Sequence, residues 1–150
     1  MIRVLQLLIV FSVLFMDAFT PVHAAGKSLP GPLRAELLRV IDGDTILVRA
    51  RVWVDQEITV AVRLRGIDAP ERKGRCAAER DLARQATTLL STTLHARQIV
   101  LRDISGGKYF GRVLATVETA DGMPVSAVML RAGVVRSYRG KARASWCGAL

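Results

Sequence analysis

The chain has 150 residues, 51% of them hydrophobic, and a formal net charge of +9. One ordinary domain fits that length, and the charge favours a polyanionic partner, nucleic acid first and anionic envelope polymers second. No block of five or six like charges reads as a disordered basic arm, and two cysteines without a C-x-x-C spacing argue against a cysteine metal centre.

Arg3 precedes an apolar run from Leu7 to Met16, and Pro21-Val-His-Ala24 stands ahead of Ala25. A basic start, a short apolar stretch and an A-x-A-like end make the pattern of a secretory signal. The competing reading is an uncleaved anchor, but a spanning helix needs about 20 apolar residues, and this run is shorter and closes with Asp17. Residues 1–24 are therefore expected to be cleaved, giving an exported protein, periplasmic or secreted, without stable membrane association and monomeric. The loss removes one arginine and one aspartate, so the charge balance stays.

Residues 25–34 are rich in Gly and Pro and read as a flexible lead-in. A domain is expected over 35–136, followed by a basic tail, 137–150. Leu37, Leu38, Val40 and Ile41 form a first strand into Asp42-Gly43-Asp44, and Thr45 to Trp53 a second. In the third, Ile58, Val60, Val62 and Leu64 share one face while Thr59, Ala61, Arg63 and Arg65 share the other. That period sets Arg63 off the core side. The strand stops at Asp68-Ala69-Pro70, where proline cannot donate to a ladder and holds Ala69 extended. Cys76 to about His95 has helical spacing. Gln98–Arg102 is a fourth strand, Ser105-Gly-Gly a loop and Tyr109–Thr119 a fifth strand. Pro124 opens a short helix that ends at Gly133. Three strands, a long helix, two strands and a short helix predict a five-stranded β-barrel of the OB type, a fold that commonly binds nucleic acids or sugars.

With His23 in the signal, His95 is the one histidine of the exported chain, so mechanisms that pair two histidines in a protomer are excluded. His95 itself reads as a surface residue near a helix end. What remains is carboxylates and arginines. Asp42, Asp44, Asp68 and Glu71 are hard oxygen donors, suited to Ca²⁺ or Mg²⁺ and not to zinc. Either acidic turn alone reads as an ordinary turn; two at strand ends beside Arg63 read as a site. Arg63 and Arg112 then supply guanidinium forks for charge developing on a phosphodiester. In an oxidising compartment Cys76 and Cys147 usually pair; two free thiols are the alternative.

At VIDGDTI (40–46), VRLRGIDAPE (62–71), FGRVLA (110–115) and LRAG (130–133) the chain resembles the staphylococcal nuclease family. CAAER (76–80) and the tail Trp146-Cys147 resemble its exported bacterial subset, which supports the disulfide. The resemblance implies the five-stranded OB-fold of that type, with the third helix of longer members absent. It implies Ca²⁺ held by Asp44, Asp68 and the Ala69 carbonyl, with Asp42 as a supporting acid. Glu71 falls at the position that activates or orients water, and Arg63 and Arg112 at those that bind phosphate. It also implies nonspecific hydrolysis of DNA and RNA leaving 3′-phosphate ends. A departure lies in the Lys108–Arg112 loop: a lysine replaces the family's acid and Phe110 its tyrosine. Phe110, with Tyr109, keeps a ring for stacking but cannot hydrogen-bond a phosphate. The second reading is a nucleic-acid-binding barrel of the same superfamily that has lost catalysis.

Overall fold

Alternating apolar residues wrap one sheet around a core, and a single parallel pairing lets it close. The computed structural model of the protein describes residues 28–107, Tyr109 and 111–148; the expected signal, 1–24, and Phe110 lie outside the described residues. The elements are β1 (Ser28–Leu29), β2 (Leu33–Asp42), β3 (Thr45–Trp53), β4 (Gln56–Leu64), β5 (Ile67–Asp68), α1 (Ala77–Thr93), β6 (Gln98–Gly106), β7 (Arg112–Thr119), α2 (Val125–Arg131) and β8 (Arg136–Ser137). Strands β2, β3 and β4 form an antiparallel meander. β4 pairs β7 in parallel, β7 pairs β6 antiparallel, and β6 returns to β2, closing a five-stranded barrel. Closure removes the free edges that an open sheet would expose.

Ile46 and Val48 of β3, Val62 and Leu64 of β4, Ile99 and Leu101 of β6, and Ala115 and Val117 of β7 fill the interior. Ala83, Ala86 and Leu90 form a buried stripe on α1, which packs on β2 and α2. The wall thus follows the period of two, and the helix presents small residues where the strands come close.

Four boundaries differ from the sequence expectation. The lead-in contributes β1, whose Ser28 and Leu29 pair with Ser105 and Ile104, and β2 starts at Leu33. β6 runs past Arg102 to Gly106 through a register shift, with Asp103 at φ 49°. β7 begins at Arg112 and not at Tyr109, because Gly111 at φ 77° turns the loop before it. Ile58 shares the core-facing alternation of β4 but is 45% exposed, since the β3–β4 hairpin, with Trp53 and Val54, extends beyond the barrel.

Among the described residues no helix follows α2. The tail is held instead by β8 on β5, where Ile67 faces Ser137 and Asp68 faces Arg136. Tyr138 N donates to Gly66 O at 2.9 Å, and the Arg136 guanidinium lies 3.8 Å from the Trp146 ring centroid. The expected Cys76–Cys147 disulfide is formed, across a sequence separation of 71. Closing a loop of that size limits the unfolded chain by about 4 kcal/mol in the loop-entropy account. The Cys76→Ser/Cys147→Ser protein should therefore lose stability of about that size in urea unfolding; an unchanged midpoint would show that the bridge contributes nothing.

Candidate active site

Two turns at the barrel rim bring the acids together. Asp42-Gly43-Asp44 links β2 to β3, and β5 presents Asp68 directly after β4. The first turn is locked from within: Asp44 N donates to Asp42 Oδ1 at 3.0 Å and Thr45 Oγ1 donates to Asp44 Oδ1 at 2.9 Å. It is tied to the second by Ala69 N, which donates to Asp44 Oδ2 at 2.9 Å. Gly43 is required by crowding: a Cβ there would stand 2.7 Å from the Ala86 Cβ and 2.9 Å from the Ala69 Cβ. Helix α1 thus presses the acidic turn toward β5.

Arg63 joins the two acids. β3–β4 register places it opposite Thr45, and its Nη1 contacts Asp44 Oδ1 while Nη2 lies 3.1 Å from Asp68 Oδ1. A further contact runs from Nη2 to Ile67 O at 3.4 Å. Both carboxylates are buried, and an unpaired buried charge is costly enough that a cation must lie beside them.

Glu71 stands at the cleft mouth with its side chain 58% exposed. Its backbone is steadied by Glu79 in the first turn of α1. Glu79 Oε1 accepts from Glu71 N at 3.3 Å and Oε2 from Arg75 N at 3.0 Å. Glu79, the third residue of α1, thus reaches back past the N-cap Cys76 to backbone N–H groups ahead of the helix. Gly74 leaves the room it needs, since a Cβ there would meet Glu79 at 2.4–2.6 Å.

Arg112 enters from the start of β7, paired beside Ala61 of β4. Its guanidinium lies 4.8 Å from the Tyr109 ring centroid, and among the described residues it forms no ion pair. Asp42, Asp44, Arg63, Ala69, Glu71, Tyr109 and Arg112 all line one cleft of about 880 Å³. Asp68 meets them through Arg63. Tyr138 joins the same cleft, its ring centroid 6.0 Å from the Arg63 guanidinium.

Sequence reasoning missed Glu79 and Arg143. Arg143 Nε lies 2.8 Å from Asp68 Oδ1, Nη1 2.5 Å from Glu71 Oε1, and Nη2 donates to Ala69 O at 3.0 Å. A signal for it was present: Cys76 follows Glu71 by five residues and Arg143 precedes Cys147 by four, so the bridge carries the arginine toward the acids. Partial burial opposes its charge, but Glu71 and Asp68 outweigh that and hold its pKa above the usual arginine value. Burial pushes the Asp42 carboxyl up, the Asp44 backbone N–H works against it, and the neighbouring Asp44 charge adds to the rise.

A closed five-stranded barrel with two helices and an acid–arginine cleft defines the nuclease-type OB barrel as the class. The family model described as staphylococcal nuclease homologue matches residues 61–145, and the chain belongs to that family. A protein named "Uncharacterized endonuclease" from Escherichia coli is 33% identical over 106 residues, which cover 71% of this chain and 61% of that protein. "Protein ParB" from Escherichia coli is 39% identical over 121 residues, covering 75% and 62%. The chain spans about three-fifths of the length of these curated relatives. The family match includes Arg63, Asp68, Glu71 and Arg112, while Asp42 and Asp44 precede it and reach the site through β3–β4 pairing.

Gly43→Ala should lower thermal stability by an amount matching about 1–3 kcal/mol of overpacking. Any function of the cleft should fall more steeply, because the turn must retreat from Ala69. Unchanged melting, measured by circular dichroism, would contradict this close packing.

Proposed function

We propose that the protein is an exported Ca²⁺-dependent nuclease that hydrolyses phosphodiester bonds of DNA or RNA with little sequence preference, leaving 3′-phosphate ends. The observation that carries this reading is the convergence of Asp44, Ala69, Glu71 and Arg63 in one open cleft, with Asp68 joined to them through Arg63 and Arg143. Family membership and relatives named endonuclease support it. Export is supported by the apolar leader and by a disulfide, a bond that persists in oxidising compartments.

The donor set fits calcium. All four groups are hard oxygens, and three of them, on Asp68, Ala69 and Glu71, already meet a cation, the Arg143 guanidinium. Asp44, Asp68 and the Ala69 carbonyl would hold the ion, with Asp42 bracing Asp44 through its backbone. Bound calcium supplies Lewis-acid polarisation of a phosphoryl oxygen.

The chain's own residues do the rest. Glu71, exposed at the mouth, takes a proton from the attacking water or orients it. Arg63 has five N–H donors, part of which are engaged by Asp44 and Asp68, so its fork is oriented before a phosphate arrives. Arg112 approaches from β7, where Tyr109 rather than an acid holds it, and its charge is available for equatorial phosphate oxygens. Tyr109, Phe110 and Tyr138 offer rings for stacking. The basic surface collects the polyanion by releasing its counterions.

A second reading, a nucleic-acid-binding module without catalysis, is favoured by one observation: Glu71 is ion-paired to Arg143. Plasmid digestion separates the two. Nicking that a chelator abolishes and calcium restores supports the nuclease; salt-sensitive binding without nicking overturns it. Glu71→Gln and Arg112→Ala should each lower turnover by about 10²–10³-fold or more while circular dichroism stays native. Wild-type rates in both would remove these residues from the chemistry.

A further inference from the structure

The tail adds a group that the proposed reaction does not use. Arg143 lies in the tail beyond β8 and presents its fork to Asp68, Glu71 and the Ala69 carbonyl, all three at once. Those oxygens include two of the donors assigned above to the divalent ion and the carboxylate assigned to water.

We propose that Arg143 is a tethered internal cation that holds the acid cluster together in the metal-free protein and competes with the divalent ion for the same oxygens. The inference rests on the calcium reading of this site.

Charge and geometry both lead there. Asp44, Asp68 and Glu71 gather three carboxylates, and Arg63 contributes one positive charge. Arg143 supplies a second, leaving the cluster short by one. A divalent ion in its place would bring one more positive charge to these three carboxylates and to Asp42 beside them, so the exchange of guanidinium for metal is electrostatically favoured. A planar fork is the side chain suited to several acceptors at once. Simultaneous occupation would set two cations on the Ala69 carbonyl and a third on the carboxylate of Asp68, whose Oδ1 Arg63 and Arg143 already share.

The tail is built to keep Arg143 near without burying it. On one side Ser137 pairs with Ile67 and Tyr138 N donates to Gly66 O. On the other, Cys147 is bonded to Cys76. Anchors on both sides give the guanidinium a high effective concentration at the acids. Its side chain is nevertheless 42% exposed, so it can swing into solvent without opening the core. Apparent metal affinity is then the intrinsic affinity reduced by the fraction of molecules in which Arg143 has left. The disulfide acts on that fraction by shortening the tether.

Isothermal titration with calcium, at physiological salt and without substrate, tests this directly. If Arg143 is in place about nine-tenths of the time, Arg143→Ala binds calcium about tenfold more tightly than the wild type. Arg143→Gln, which keeps the stem without the charge, moves the same way, and so does the Cys76→Ser/Cys147→Ser protein. Arg139→Ala is the charge control: it lines the cleft from the same tail and should shift affinity by less than about twofold, as screening predicts. Asp68→Asn should abolish binding in every background. Equal or weaker binding by both Arg143 variants overturns the competition while leaving the calcium site intact. A shift in Arg139→Ala as large as that in Arg143→Ala overturns it too, by reducing it to general charge. If neither the wild type nor the Arg143 variants bind calcium, the calcium reading falls and this inference with it.

Discussion

Arg63 reaches two buried carboxylates from different parts of the chain, and that bridge is the contact on which the rest depends. Asp44 belongs to the β2–β3 turn and Asp68 to β5, so their approach is a tertiary event. Like charges that close repel, and burial removes the water that would screen them. A guanidinium between them turns the repulsion into a three-centre attraction. Arg63 can occupy that position because β3 and β4 pair in a register that places it opposite Thr45, beside Asp44. The barrel is the means by which this register is enforced.

From there the order of construction is visible. Apolar residues on one face of each strand fix the wall; α1 then presses on the acidic turn through Gly43 and Ala86, where any larger residue would intrude. Glu79 reaches from the same helix to hold the backbone of Glu71. The helix therefore serves the core and the cleft together. At the far side the parallel β4–β7 pairing delivers Arg112 into the same space as Arg63, although about 50 residues separate them.

How legible was this in the sequence? The acids and arginines stood out because two charged turns flanked an alternating strand, and a site needs charge where a turn does not. The barrel followed from period-two runs and the position of one long amphipathic segment. What escaped reading was contact-dependent. Ile58 obeys the alternation of β4, yet alternation does not reveal where the core ends. The Gly-rich stretch before β7 conceals that the strand starts at Arg112, since composition marks a loop without marking its exit. Glu79 was one of two acids in α1, with Asp81; only its position at the third helical residue, facing Gly74, gave it a task. Arg143 resembled the other tail arginines until the disulfide placed it beside Asp68. Spacing shows local partners, and these partners are distant.

The account turns on the acid cluster being a cation site that Arg63 organises and Arg143 occupies provisionally. The most direct measurement is a crystal structure of the protein grown with calcium, with the ion located by its anomalous scattering. The account predicts one peak bounded by Asp44, Asp68 and the Ala69 carbonyl, Arg63 still bridging both aspartates, and Arg143 turned out to solvent. Density showing Arg143 still on Asp68 and Glu71 and no ion among the acids, at a calcium concentration that sustains nuclease activity, would contradict it.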